Sequence, residues 1–245
     1  MSIWGKIIGG ATGFALGGPL GALIGVVAGH AVDRIRGEGE ATPEASATRQ
    51  VAFTMAMIVL SAKMAKADGQ VTRVEVDAFK RVFHIPPGEA KGVGRVFDEA
   101  RRDAQGFEPY ARQVAEMFVH EPAVLEELLG GLFHIAMADG IVHPAEMTYL
   151  RQVGKIFGLD HHGFERVRAS HMGGNTEVDP YEVLGLDHDA SDDEVKATYR
   201  KLIRENHPDQ LIAQGLPQEF IDLANEKMAS INAAYDTIEC QRGLK

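Results

Sequence analysis

The chain has very little cysteine and a shortage of positive charge, and each absence excludes a class of protein. Its one cysteine, Cys240, cannot form a disulfide within the chain, which fits a reducing compartment. Its 25 lysines and arginines are outnumbered by 35 aspartates and glutamates, giving a net charge of −10. A general nucleic-acid binder gains affinity by neutralising phosphates, so no nucleic-acid partner is expected.

Runs of alternating β-branched residues, which would predict strands, are also missing from the 245 residues. Apolar residues recur instead at helical spacing, as in Val51, Met55, Ile58 and Val59. The sequence therefore predicts an all-α protein, and its length suits more than one module.

A long uncharged run lies at the N-terminus. No residue between Lys6 and His30 carries a formal charge, and Ile7–Gly29 reaches the ~20 residues that a helix needs to cross a bilayer. A cleaved signal peptide would have a shorter apolar core and a small-x-small cleavage site, which is absent here. Residues 1–36 are therefore predicted to contain a transmembrane helix.

Glycines recur at every fourth position of this run. Small residues at that spacing allow two membrane helices to approach closely. Four residues advance about 400° around a helix, so only a few consecutive glycines can face one partner. We therefore expect a homodimer through this segment, although a flexible glycine-rich tail is the alternative. The predicted contacts are Gly13, Gly17, Gly21 and Gly25.

The middle of the chain contains an internal repeat. Residues 37–48 are small, polar and interrupted by proline, which predicts a linker before a helical domain at 49–170. Within that domain the pattern ADGx[VI]xxxE occurs twice, once in Ala62–Phe79 and once in Phe133–Leu150.

Two interpretations of the repeat remain open. The acidic pairs could meet and hold a divalent cation through oxygen ligands. Local helix signals explain the same residues better, because Gly140 suits a helix end, Pro144 suits the next helix start, and a glutamate in the first turn can cap it. The four candidate metal ligands are Asp68, Glu75, Asp139 and Glu146.

This segment resembles the TerB-like family through its repeated A-D-G acidic motif. The resemblance implies an all-α interaction or sensing module near membranes, with no known reaction. A membrane-associated metal or envelope-stress sensor that acts through this domain is therefore the alternative function.

The last third of the chain has clear helix signals. After a predicted linker at 171–178, Asp179-Pro180 suits a helix start, and SDDE at Ser191–Glu194 is a capping box. The helix that follows and a later one from Pro217 are predicted to pair antiparallel, with His207-Pro208-Asp209 at the tip between them. Basic residues at helical spacing occupy the first helix: Lys196, Arg200, Lys201 and Arg204.

PYEVLGL, SDDEVKATYRKLIRENHPD and INAAYDTI together resemble the J-domain of DnaJ-type co-chaperones, over residues 179–245. The resemblance implies that His207, Pro208 and Asp209 contact an Hsp70 and trigger its ATP hydrolysis, with the basic helix meeting an acidic surface. Two features depart from the family pattern. Gln210 replaces the usual basic residue, and the loop LIAQGLP is longer than in many J-domains.

The three parts in this order resemble the DnaJ-like protein A (DjlA) group of Gram-negative bacteria. That resemblance implies a single-pass co-chaperone of the bacterial inner membrane, with its C-terminal domains in the cytoplasm beside a DnaK-type Hsp70. It implies no enzymatic activity and no cofactor. A metallohydrolase built on His207 and Asp209 is disfavoured, because the sequence places no nucleophile or third ligand beside them.

Overall fold

The computed structural model describes residues 43–67, 76–77, 79–80, 85, 88, 90–102, 106–172 and 178–244. These residues form helices and connecting turns and contain no strand, which confirms the all-α prediction for them. The helices are α1 (Pro43–Ala67), α2 (Ala90–Arg102), α3 (Glu108–Met117), α4 (Pro122–Ala136), α5 (Pro144–Ile156), α6 (His161–Met172), α7 (Pro180–Leu184), α8 (Asp192–Glu205), α9 (Pro208–Ala213) and α10 (Ile221–Arg242), with short 3₁₀ turns at Met137–Asp139 and Gln218–Phe220.

Helix α1 is the axis of a central bundle formed by α1–α6. It packs against α2, α3, α4 and α5, and every residue of 51–65 is buried. Its sequence is apolar around most of its circumference, which is the composition of a helix that is enclosed on all sides. A buried tyrosine ties the bundle together, because the Tyr149 hydroxyl donates to the Leu60 carbonyl at 2.8 Å.

The C-terminal domain, α7–α10, has a second core. Buried residues of α7, α8 and α10 meet there: Tyr181, Val183, Leu184, Val195, Leu202, Ile231, Ala234 and Ile238. Helices α8 and α10 run antiparallel, as predicted, because Asp192 at the start of α8 pairs with Arg242 at the end of α10 at 3.1 Å. Further along, the rings of Tyr199 and Tyr235 stack with centroids 3.9 Å apart.

Two helices belong to both cores. Phe164 and Val167 of α6 face the central bundle, whereas Ala169 faces the C-terminal domain. Helix α10 does the same, since Leu223 and Ala224 at its start lie in the first core and its later apolar residues in the second. The C-terminal domain is therefore packed directly onto the bundle.

Both predicted linkers adjoin helices in the structure. Helix α1 begins at Pro43, inside the stretch 37–48, and α6 continues through Met172, inside the stretch 171–178. The predicted membrane segment, with Gly13, Gly17, Gly21 and Gly25, lies outside the described residues. Among the helices that are described, none combines the length and apolar character needed to cross a bilayer.

Candidate partner-binding site at the His-Pro-Asp turn

The turn between α8 and α9 has a local cause. Helix α8 ends at Glu205, and Pro208 cannot extend it because proline lacks an amide hydrogen and restricts the residue before it. His207 accordingly adopts an extended conformation with φ −63° and ψ 129°, and Pro208 opens α9 at its first position. The chain therefore reverses at a stiff corner at the predicted tip.

His207 caps the new helix. Its Nδ1 accepts the backbone N–H of Asp209 at 3.2 Å. An imidazole nitrogen that accepts carries no proton, so the ring proton lies on Nε2 and is free to donate outward. The side chain is 52% exposed. His207 therefore shapes the turn with one ring nitrogen and offers a donor to solvent with the other.

Asp209 is presented almost fully to solvent, with its side chain 89% exposed. Its Oδ2 lies 3.9 Å from His207 Nδ1, and no lysine or arginine of the described residues lies within ion-pair distance. Both carboxylate oxygens are therefore accessible to an external donor. An arginine suits them best, because a guanidinium binds a carboxylate through two parallel hydrogen bonds.

The structure brings part of the predicted basic face next to the turn. Arg200 and Arg204 line the same concave surface as His207 and Asp209, together with Gln210. Lys201 is exposed but does not line this surface, and Lys196 lies a turn further from it and is partly buried. The arrangement offers one acidic group and two basic groups to a partner.

The second copy of the acidic repeat, which the structure describes, marks the end of one helical turn and the start of the next helix. Gly140 has φ +92° after the 3₁₀ turn, and Glu146 Oε2 accepts the backbone N–H of His143 at 2.9 Å at the start of α5. Asp139 Oδ1 accepts from Ile141 N. The described residues contain no group of three metal-binding side chains, while Asp68 and Glu75 lie outside them.

The segment after the turn is more buried than the sequence analysis predicted. Leu211, Leu216 and Phe220 are fully buried and belong to the core of the central bundle. LIAQGLP is therefore the second half of α9 followed by a closing turn, and its two leucines belong to the same core as α1. The sequence signal for this burial was the apolar content of a stretch that was expected to be an exposed loop.

Lys227 of α10 is the second unexpected residue. Its side chain is 1% exposed, and its Nζ lies 2.9 Å from Glu127 Oε1 and 3.1 Å from Glu126 Oε2, both on α4. Burial alone would lower the pKa of Lys227, but Glu127 and Glu126 raise it above the ordinary lysine value. The residue is therefore charged within the interface between the two units.

Glu126 is held in the charged form by the same cluster. Burial favours its neutral form, but Lys227 and Arg166 outweigh that effect and lower its pKa. Arg166 of α6 donates to Glu126 Oε1. The two adjacent glutamates in the leucine-rich stretch VLEELLGGLF were the sequence signal for this cluster, since charges on a buried helix face need partners.

Three family models match the chain in succession. Residues 1–50 match the co-chaperone DjlA transmembrane domain, 54–169 the tellurite resistance protein TerB, and 179–242 the DnaJ domain.

Relatives match over nearly the full length. The co-chaperone protein DjlA of Photobacterium profundum is 32% identical over 99% of this chain and 100% of its own. That of Coxiella burnetii is 31% identical over 98% of each chain, and that of Escherichia coli K12 is 26% identical over both full lengths. No solved structure matches the chain.

Proposed function

Because the chain belongs to the DjlA family of co-chaperones, we propose that its J-domain stimulates ATP hydrolysis by a cytoplasmic Hsp70 of the DnaK type next to the bacterial inner membrane. The observation that carries the proposal is the exposed His-Pro-Asp turn, with Asp209 89% exposed beside Arg200 and Arg204. The chain supplies the trigger, and the Hsp70 performs the chemistry.

The charge arrangement favours fast, salt-dependent recognition. Arg200 and Arg204 would steer an acidic surface of the Hsp70, and complementary charge mainly raises the association rate. Asp209 would then pair with a basic group of the partner. Gln210 lines the same surface and carries no charge, so this chain presents one cation fewer beside the turn than the usual J-domain pattern.

The N-terminal segment would supply the tether. Residues 1–50 match the DjlA transmembrane domain, which supports a single membrane span. The C-terminal domains would then lie in the cytoplasm, where ATP and Hsp70 are present. Dimerisation through Gly13, Gly17, Gly21 and Gly25 follows from their spacing. Disulfide crosslinking of Gly21→Cys in a Cys240→Ser background, in membranes, tests the dimer, and only monomer at every expression level would refute it.

The ATPase rate of the Hsp70 tests the proposal. With the full chain in lipid nanodiscs, we expect a clear increase in single-turnover ATP hydrolysis. Asp209→Asn and His207→Gln should return the rate to that of Hsp70 alone, because they remove the carboxylate charge and the shape of the turn.

A matched control keeps this test specific. Asp236→Asn makes the same chemical change on an exposed position of α10, outside the site, and should stimulate like the wild type. Thermal unfolding of all variants should be similar, since Asp209 is exposed. Equal stimulation by the wild type and both turn variants would show that the turn does not trigger hydrolysis.

A further inference from the structure

We propose that the central bundle docks the J-domain in one fixed orientation through a clasp formed by Leu211, Leu216, Phe220 and Lys227 on the J-domain and by Phe53, Gly131, Glu126 and Glu127 on the bundle. The clasp is a positioning device for the His-Pro-Asp turn. This inference rests on the proposed Hsp70 function and adds to the bundle a task that J-domain chemistry alone does not require.

Phe220 is the apolar centre of the clasp. Its ring meets that of Phe53 edge-to-face, with centroids 4.7 Å apart, and neither residue is exposed. Gly131 of α4 makes room for it, because a Cβ there would lie 3.0 Å from the Phe220 ring and 2.9 Å from Met57. Such close packing fixes both position and rotation of the inserted ring.

The ion cluster fixes the same interface electrostatically. Lys227 pairs with two carboxylates of α4, and its side chain and that of Glu127 are each 1% exposed. A buried charge that loses its partner is strongly unfavourable, so the J-domain cannot shift without leaving charges unpaired. Directional partners therefore select one docked orientation, whereas apolar contact alone tolerates sliding.

The clasp reaches the His-Pro-Asp turn through α9. Leu211 lies two residues after Asp209, and its carbonyl accepts the Leu216 N–H at 2.8 Å, which closes the end of α9. Gly215, between them, lies directly on Arg49 of α1, since a Cβ there would be 2.4 Å from the Arg49 Cβ. Helix α9 is therefore held at Leu211 and just beyond its C-terminal end, and the turn at its N-terminal end is held through the short helix.

The docked arrangement presents the turn and does not cover it. Asp209 and His207 remain exposed, as do Arg200, Lys201 and Arg204. The clasp uses the opposite side of α9 and the first turns of α10. An inhibitory contact would instead cover the turn or the basic face.

Pulsed EPR distances test the docking directly. The full chain in nanodiscs carries spin labels on the native, exposed Cys240 and on Lys155→Cys of α5. An excess of unlabelled Cys240→Ser chain is added, so that a dimer rarely contains two labelled copies and only distances within one chain are measured. We expect one narrow distance distribution for the wild type. The double variant Phe220→Ala/Lys227→Gln should broaden it, and Leu216→Ala is a milder variant of the same face if the double variant loses helix content.

Hsp70 ATPase measurements on the same unlabelled proteins test the positioning role. The clasp variants should raise the chain concentration for half-maximal stimulation by about tenfold, because only a fraction of molecules then presents the turn correctly. The maximal rate at saturation should remain, since His207, Pro208 and Asp209 are intact. Phe107→Ala in the bundle and Lys91→Gln at an exposed position of α2 are matched controls and should behave as wild type in both measurements.

The outcomes separate the two proposals. A broad distribution in the wild type refutes the docking, and a broadened distribution with unchanged half-maximal concentration refutes the positioning role. Asp209→Asn should keep the narrow distribution while losing stimulation. A narrow wild-type distribution without any stimulation would refute the Hsp70 function, and the positioning role with it, but would establish the docked geometry.

Discussion

At the scale of single residues, the His-Pro-Asp turn combines a fixed local structure with an exposed carboxylate. His207 Nδ1 holds the Asp209 amide, Pro208 stiffens the corner, and the Asp209 carboxylate remains in solvent. A stiff, preformed turn loses less entropy when a partner binds. The adjacent histidine and aspartate are therefore explained by the shape of the turn and by the accessible carboxylate that it presents.

His171, at the end of α6, provides a pH test of the interface. Its imidazole ring packs closely against Gly130, because a Cβ added to that glycine would lie 2.4 Å from His171 Nε2. The residue as a whole keeps some contact with solvent. Burial first, and then Lys227 and His134, lower its pKa from 6.5 to about 3. The ring is therefore neutral in the folded protein at any pH above about 3.

We expect the free energy of unfolding to fall as pH drops from about 6.5 towards 3. In that window the unfolded chain binds a proton at His171 and the folded chain does not, which costs at most about 1.4 kcal/mol per pH unit. Urea unfolding at several pH values should show a shallower slope for His171→Gln than for the wild type. His120→Gln, at an exposed position, is the control, and an equal slope in His171→Gln would contradict the prediction.

At the scale of elements, helix boundaries followed local signals and were predictable. Ser191 and Glu194 cap α8 as the capping box predicted, with the Ser191 N–H donating to Glu194 Oε2 at 2.7 Å. Pro144 opens α5, and Glu146 caps it. These signals involve neighbours within four residues, so the sequence alone contains the information.

Elements that depend on distant partners were not predictable in the same way. The stretch after the turn was predicted as a loop but forms α9, and α10 begins at Ile221 after a 3₁₀ turn, not at Pro217. The apolar face of α10 is divided between two cores. Lys227 on that face is buried only because Glu126 and Glu127, a hundred residues away in the chain, meet it.

The end of α9 offers a stability test at a single glycine. Gly215 has φ +104°, and a Cβ there would collide with Arg49, whereas Gly140 has φ +92° with open space around it. Both alanine variants cost about 1 kcal/mol through the left-handed backbone. Gly215→Ala should cost about 2 kcal/mol more than Gly140→Ala, because α1 or α9 must also move. Chemical denaturation measures the difference, and equal losses would show that α9 is not tightly held on α1.

At the scale of the whole molecule, two units with separate family resemblances share helices and an interface. Helix α6 and helix α10 each contribute to both cores, and buried ion pairs link α4, α6 and α10. The unfolding of one unit therefore exposes apolar surface and unpaired charge of the other.

Calorimetry of the full chain in detergent should accordingly show one unfolding transition for the described domains. Phe220→Ala should separate it into two, because the aromatic contact with Phe53 and the space beside Gly131 are lost. Phe107→Ala, which alters the bundle away from the interface, should lower the temperature of a transition that stays single. Two transitions in the wild type would mean that the units unfold independently.

The contact between Gly215 and Arg49 limits how far from the membrane a bound Hsp70 can act. Arg49 lies about 9 Å along α1 from its first residue, and residues 30–42, even drawn out straight, cover at most about 45 Å. In a chain anchored as proposed, Arg49 is therefore at most about 54 Å from the bilayer surface. The His-Pro-Asp turn, about 9 Å further along α9, is at most about 63 Å from it. An unfolded polypeptide at the membrane within that radius encounters the bound Hsp70 at an effective concentration on the order of millimolar. A polypeptide elsewhere in the cell encounters no such increase in Hsp70 concentration.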